Sequence, residues 1–280
     1  MQNQLPSQQP IGIFDSGVGG LSVLRAIRRE LPGEDLLYLG DQAHVPYGSR
    51  PRDQIRAYTF AIAEFLLAQG AKLIVVACNT ASAVALHELR EAFPQVPFVG
   101  MEPAVKPAAE TTHTGKVGVL ATPTTFAGEL YASVVERFAK EVQLFQSTCP
   151  GLVAQIESGD LDGPATRQIL EEALRPMLAE GIDTVVMGCT HYPFVIPLIE
   201  AITGPGVRTI DPAPAIARQT RRLLAARDLL NPSAEKGKLR FYTSGSLLAF
   251  TKLLPSLLSE GGPVSGVAWL DDSELMLRGV

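Results

Sequence analysis

Cysteine is scarce in this chain. Three occur among 280 residues, an odd number, and no two form a Cys-x-x-Cys pair. That excludes a disulfide framework and a dithiol redox motif, and it fits reduced thiols in a cytoplasm. An excess of positive charge is also missing. The 24 basic residues are outnumbered by 29 acidic ones, for a net charge of −5, which leaves no electrostatic footprint for nucleic acid. No apolar run reaches the length of a membrane span. Residues 1–10 are Gln-rich and lack the charged and apolar regions of a signal peptide, so they read as a disordered tail. The glycines of Gly17-Val18-Gly19-Gly20 fall short of a full Gly-x-Gly-x-x-Gly, and a dinucleotide site is not expected.

What is present is globular: 46% hydrophobic and 19% charged residues, enough chain for two domains with real cores. Two of the cysteines sit in similar settings, 111 positions apart. Lys72-Leu73-Ile74-Val75-Val76-Ala77 leads into Cys78-Asn79-Thr80, and Asp183-Thr184-Val185-Val186-Met187-Gly188 leads into Cys189-Thr190-His191. Each apolar, β-branched run reads as a buried strand. A thiol at the carboxyl end of such a strand lies where open α/β sheets bind ligands. A buried cysteine is often only a small hydrophobe, and for either thiol alone that reading competes. The shared setting and the polar residues after each thiol favour a functional pair.

Two more signatures recur in the same order. The run 11–16 resembles 117–122, and 98–103 resembles 208–212, so the three pairs have offsets of 106, 111 and 109. Three matches in register predict two homologous α/β halves. Strands are expected at 11–14, 36–39, 73–77, 117–120, 185–187 and 239–243. Helices are expected at 21–31, 52–69, 82–93, 126–138, 164–180, 215–229 and 247–254. The alternation predicts two domains, each a mainly parallel sheet flanked by helices; a pseudo-symmetric repeat would then set the two thiols facing each other, with the active site in the interdomain cleft. Residues 11–100 with 213–280 would form the first domain and 101–212 the second.

Two opposed thiols suit one chemistry well. Inverting a stereocentre beside a carboxylate removes a proton from one face and delivers another to the opposite face. A thiol, with a pKa near ~8.5, reaches either protonation state by modest tuning. Asp15, at a strand end before a Gly-rich turn, is a candidate to tune Cys78, although an Asp there also reads as a helix cap. His191, two residues past Cys189, is a candidate proton relay, although a loop histidine is often only a polar surface group. Cys149 has no partner in the repeat and reads as structural.

These residues give the sequence a recognisable form. It resembles glutamate racemase, the cofactor-independent enzyme family that makes D-glutamate for bacterial peptidoglycan. The resemblance is carried by residues 12–21, Gly40-Asp41 with Val45-Pro46-Tyr47-Gly48, residues 77–82, Cys149-Pro150-Gly151-Leu152-Val153 and Gly188-Cys189-Thr190-His191-Tyr192-Pro193. It implies Cys78 and Cys189 as the two acid–bases, the first serving D-glutamate and the second L-glutamate. Asp15 would assist Cys78, His191 would assist Cys189, and Glu157 would be a further auxiliary acid. Asp15, Ser16, Tyr47, Gly48, Asn79, Thr80, Thr190 and His191 would hold the substrate, with Thr122, Thr124 and Thr125 in a threonine-bearing turn. His44 stands where many members carry Arg and receives no role. The tail after about residue 213 matches weakly and carries no site. The resemblance also implies no cofactor, no metal, glutamate as the small-molecule partner, no nucleic-acid or membrane partner, a cytoplasmic location and a homodimer.

Three rivals stay open at this point. A related racemase for aspartate or another small acid would share the two-thiol plan, although its members more often carry Glu where His191 stands. A non-catalytic two-domain binding protein would need no thiol at either strand end. A thiol redox enzyme would want a resolving cysteine near one of them.

Overall fold

Strand β1 (Ile11–Asp15) is buried at every residue, and so are β2 (Leu36–Gly40) and β3 (Leu73–Val76). In the computed structural model, which describes residues 7–278, these strands pair in parallel and carry helices between them: α1 (Leu21–Glu30), α2 (Arg52–Ala68) and α3 (Asn79–Ala92). Strand β4 (Phe98–Gly100) then pairs with β3. Burial on both faces explains why these strands read as continuous apolar runs rather than alternating ones.

The second unit, Glu102–Pro212, repeats the plan. Its elements are α4 (Val105–Thr111), β5 (Lys116–Ala121), α5 (Pro123–Phe126), α6 (Glu129–Phe138), β6 (Gln143–Ser147), α7 (Leu152–Ser158), α8 (Pro164–Ala179), β7 (Thr184–Gly188), α9 (Ile196–Thr203) and β8 (Arg208–Ile210). Among the described residues its sheet runs β6-β5-β7-β8, all parallel. That is the order β2-β1-β3-β4 of the first sheet.

The repeat holds at the level of register. Phe14 pairs with Val76, and Leu120 with Met187, so offsets of 106 and 111 carry one ladder onto the other. The third offset differs from the sequence reading. Val75 pairs with Val99 and Val186 with Ile210, which sets 111 rather than 109 for that strand. A two-residue slip leaves the same side chains on the same face, so periodicity alone does not detect it.

The chain then returns to the first unit, Met1–Met101 with Ala213–Val280. Helix α10 (Ala213–Ala225) leads to β9 (Leu239–Thr243), which pairs in parallel with β2; α11 (Leu247–Leu257), β10 (Val264–Asp271) and β11 (Glu274–Leu277) follow. Strand β11 pairs antiparallel with β10 at the sheet edge. Each unit has its own core. Leu66, Leu89, Ile74 and Val76 lie in the first, and Val117, Val119, Val134 and Val186 in the second.

Several boundaries depart from the sequence expectations. Helix α3 starts at Asn79 rather than residue 82 because the Cys78 sulfur caps it, accepting from Ala81 N–H at 3.5 Å. The single helix expected over 126–138 is two, since Thr122 caps an earlier start at Pro123 and the chain breaks at Ala127-Gly128. Helix α11 runs past Pro255 to Leu257. Of the expected disordered tail, residues 1–6 lie outside the described residues. Residues 7–10 are fastened by Lys72, whose backbone N–H donates to Pro10 O at 2.9 Å and whose ammonium reaches Ser7 O. That ammonium also pairs with Glu34 at 2.5 Å, both side chains being buried.

Candidate active site

In the first unit the site grows from the carboxyl ends of β1 and β3, neighbours in a sheet of order β11-β10-β9-β2-β1-β3-β4. The strand order reverses direction there, which opens a crevice above the strands. Asp15, the last residue of β1, is fully buried and accepts from Gly17 N–H at 3.1 Å. Gly20 allows this approach: a Cβ on it would stand 2.7 Å from the Cβ of Asp15. Cys78 follows β3, with its sulfur 4.0 Å from Ser16 Oγ. Its cap position puts the sulfur at the positive end of α3, where a thiolate is favoured.

Asn79 and Thr80 open α3, and both are buried. Asn79 is 3% exposed, and neither Oδ1 nor Nδ2 has a hydrogen-bond partner in the protein. A buried amide in that condition has its donor and acceptor open to a ligand or a water molecule. Tyr47 and Gly48 lie in a short 3-10 turn, Tyr47–Ser49. The buried Tyr47 hydroxyl donates to Asp41 at 2.7 Å. Burial, then the Asp41 carboxylate, holds this phenol well above its ordinary pKa, with smaller contributions from nearby Cys78 and Asp15.

In the second unit Cys189 follows β7 directly. Gly188 lets β7 approach β5 closely, because a Cβ there would meet Ala121 Cβ at 2.7 Å. The Cys189 sulfur lies 3.8 Å from His191 Nδ1, and His191 Nε2 lies 2.7 Å from Glu157 Oε1 on α7. A carboxylate on Nε2 keeps the neutral ring's proton there, which leaves Nδ1 to accept from the thiol. Thr190 is buried beside Cys189. Thr122 caps α5: its Oγ1 is 2.9 Å from Thr125 Oγ1 and accepts from Thr125 N–H at 3.2 Å. Thr124 is half-buried in the same short helix.

The predicted residues thus gather in two clusters. Asp15, Ser16, Tyr47, Asn79 and Thr80 belong to the unit of Cys78, and Glu157, Thr190 and His191 to that of Cys189. Cys149 is buried two residues beyond the end of β6, near Ser147 Oγ at 3.9 Å, with its thiol pushed up to about 12 by burial. Tyr192 donates to Thr148 O at 3.2 Å, and burial followed by the Cys189 and Cys149 sulfurs raises its phenol. Among the described residues no group of three or more His, Cys, Asp or Glu is arranged to hold a metal ion, and no helix is long and apolar enough to cross a membrane.

Sequence reasoning missed one part of the first cluster. Asp41 is fully buried and accepts from Tyr47 and, at 2.6 Å and 2.8 Å, from Ser244 Oγ and Trp269 Nε1; its Oδ2 also lies 2.9 Å from His44 Nδ1. Asp41 was visible only as part of a motif. Its partners Ser244 and Trp269 lie in the tail that was expected to carry no site.

Two units, each built on parallel strands in the same order with a thiol just past the third strand, fit the scaffold of the amino-acid and hydantoin racemases. The family model described as Asp/Glu/Hydantoin racemase matches residues 11–220. A glutamate racemase of Ectopseudomonas mendocina is 51% identical over 258 residues, covering 92% of this chain and 98% of that protein. The crystal structure of glutamate racemase isoform RacE1 from Bacillus anthracis has a TM-score of 0.84 at 32% identity, covering 96% of this chain and 99% of that one. The Escherichia coli glutamate racemase, solved in complex with L-glutamate and activator UDP-MurNAc-ala, has a TM-score of 0.81 at 34% identity, covering 97% and 100%. This chain belongs to the glutamate racemase family, and it is an isomerase.

Proposed function

We propose that this chain interconverts L- and D-glutamate without a cofactor, by proton transfer at the α-carbon between Cys78 and Cys189, and that its D-glutamate feeds peptidoglycan synthesis. One observation carries the reading. Thiols stand at equivalent strand ends of two homologous sheets, each with a candidate proton-handling group in its own unit: Asp15 at the end of β1, the strand paired with β3 ahead of Cys78, and His191, backed by Glu157, beside Cys189.

With L-glutamate bound, the Cys189 thiolate takes the α-proton from one face. The Cys78 thiol gives its proton to the other face, leaving D-glutamate, a Cys189 thiol and a Cys78 thiolate. The reverse reaction exchanges the roles. His191 resets Cys189 by accepting its proton at Nδ1, and Glu157 stabilises the imidazolium that results. Asp15 serves Cys78, whose thiolate also gains from the N-terminus of α3. Asn79, Thr80, Ser16, Thr190 and the Tyr47-Gly48 turn hold the carboxylates and the amine, with the turn of Thr122, Thr124 and Thr125.

The test is circular dichroism of purified protein with D-glutamate and, separately, D-aspartate, without pyridoxal phosphate or added metal. D-Glutamate should decay to an equimolar mixture. Preferential decay of D-aspartate would move the assignment to that substrate, and a loss of activity on chelation that metal restores would refute cofactor independence. A cytoplasmic location and a homodimer belong to the same proposal; cell fractionation and sedimentation check them.

A further inference from the structure

The loop of residues 41–48 carries Tyr47 and Gly48 and is held from the far end of the sequence. Ala43 N–H donates to Ser244 Oγ at 2.9 Å, and Ser244 N–H donates to Gly40 O at 3.2 Å. Thr243 Oγ1 donates to Gln42 Oε1 at 2.9 Å. Ser244 directly follows β9, and Trp269 lies on β10. Both donate to Oδ1 of Asp41, while Tyr47 donates to Oδ2 and His44 Nδ1 lies beside that same oxygen. One buried carboxylate therefore joins the returning strands to the loop that bears Tyr47. Aromatic contacts close the arrangement. The His44 ring stacks on Tyr58 of α2 at 3.9 Å, and Trp269 meets His44 edge-on at 5.0 Å and Tyr58 at 5.2 Å.

A buried carboxylate needs its charge satisfied by donors. Here the donors come from three places in the chain, so each one fixes the geometry available to the others. Removing a donor leaves the carboxylate under-satisfied and free to pull Tyr47 toward a new compromise.

We propose that Trp269 and Ser244 are positioning residues for substrate binding, acting through Asp41 to fix Tyr47 and its loop beside Cys78. The inference rests on the reading of Tyr47 as a substrate-holding residue. It gives the C-terminal strands a part in the reaction although they touch no reacting atom.

Trp269 is the only tryptophan of the chain, so intrinsic fluorescence reports on this network without a label. Titration of the wild-type protein with D-glutamate should change its emission saturably. Trp269→Phe keeps an aromatic ring but removes the N–H bond to Asp41. Loss of a hydrogen bond to a charged group should raise KM about 10-fold while leaving kcat within about threefold. Ser244→Ala should act in the same direction, and Ser244→Thr should restore the wild-type KM. In a double-variant cycle, Trp269→Phe added to Tyr47→Phe should raise KM no more than about twofold further, because both act through one carboxylate.

A merely structural tryptophan would lower stability without this KM-specific, non-additive pattern. Silent fluorescence at saturating D-glutamate, a KM for Trp269→Phe within about twofold of wild type, or multiplicative effects in the double variant would each overturn the proposal. If Trp269→Phe does not fold, the wild-type titration and the Ser244 pair decide the matter. Absence of wild-type turnover on glutamate would overturn the parent reading and this one together, and is visible before any variant is made.

Discussion

Asn79 sets up a conflict between stability and binding that can be measured. It is the first residue of α3, 3% exposed, with both amide polar atoms lacking a protein partner. The helix does not need it as a cap, since the Cys78 sulfur fills that position. Leu has nearly the shape of Asn and no polar atom. Removing an unsatisfied buried polar group is worth roughly 1–3 kcal/mol. Asn79→Leu should therefore raise the stability of the substrate-free protein by about that amount, at about 2–4 °C of melting temperature per kcal/mol for a chain of this size.

The order should reverse with substrate. Glutamate at a hundred times its dissociation constant stabilises the wild type by about 2.7 kcal/mol. The variant, lacking the amide, should gain little at the same concentration. The assay is a pair of melting curves for each protein, with and without D-glutamate, together with a urea midpoint. A variant that is less stable than wild type when free of substrate, yet keeps the full substrate-induced shift, would refute the reasoning. Asn79 would then be a structural group whose burial has another cause.

Other outcomes are expected from the same geometry. Cys78→Ala and Cys189→Ala should each abolish racemisation in both directions, beyond the ~10²–10⁴-fold of ordinary acid–base help, whereas Cys149→Ala should keep most activity; near-normal turnover in either direction by a strand-end variant would remove that thiol from the mechanism. Asp15→Asn should enlarge the primary deuterium isotope effect chiefly with α-deuterated D-glutamate, and His191→Asn chiefly with the L-enantiomer, measured by competitive or direct kinetics; equal changes for both would assign the two groups to the substrate jointly. The buried Cys149 thiol, pushed up from 9.0 to about 12, keeps its proton in the folded state where the unfolded chain loses it. Its stabilising contribution is therefore complete below about pH 9 and declines above, by roughly 1.4 kcal/mol per pH unit, up to the folded value. Urea midpoints between pH 8 and pH 10.5 should show this extra slope in the wild type and not in Cys149→Ala.

The sequence was most legible where the physics is local and periodic. The runs at 73–77 and 185–187 read as buried strands, and their shared ending marks both thiols. The offsets of 106 and 111 became one ladder register because parallel strands buried on both faces leave little freedom to slip. Strand β6 was not legible, because Gln143-Leu144-Phe145-Gln146-Ser147 is a half-exposed edge with no strong pattern. Nor was the start of α3, since a cysteine is not among the usual caps. The Asp41 network was hidden for a different reason. Its partners lie 203 and 228 residues away in sequence, and no spacing rule connects them. Glu157 was reachable only through the family resemblance, since nothing local marks it as the partner of a histidine 34 residues on.

The two halves agree in scaffold, and in the proposed reaction they differ in how each thiol is served, a difference that follows from what stands at equivalent positions. At an offset of 106 the place of Asp15 is taken by Ala121, the last residue of β5. A methyl group cannot accept a proton, so the second thiol has no helper from its first strand. At an offset of 111 the place of Thr80 is taken by His191, and the place of Asn79 by Thr190. In the proposed reaction the second unit therefore draws its proton-handling group, His191, from the segment after the thiol, with Glu157 2.7 Å from the ring's Nε2 to fix the tautomer. The first unit needs no such third member, because a carboxylate has no tautomer to set.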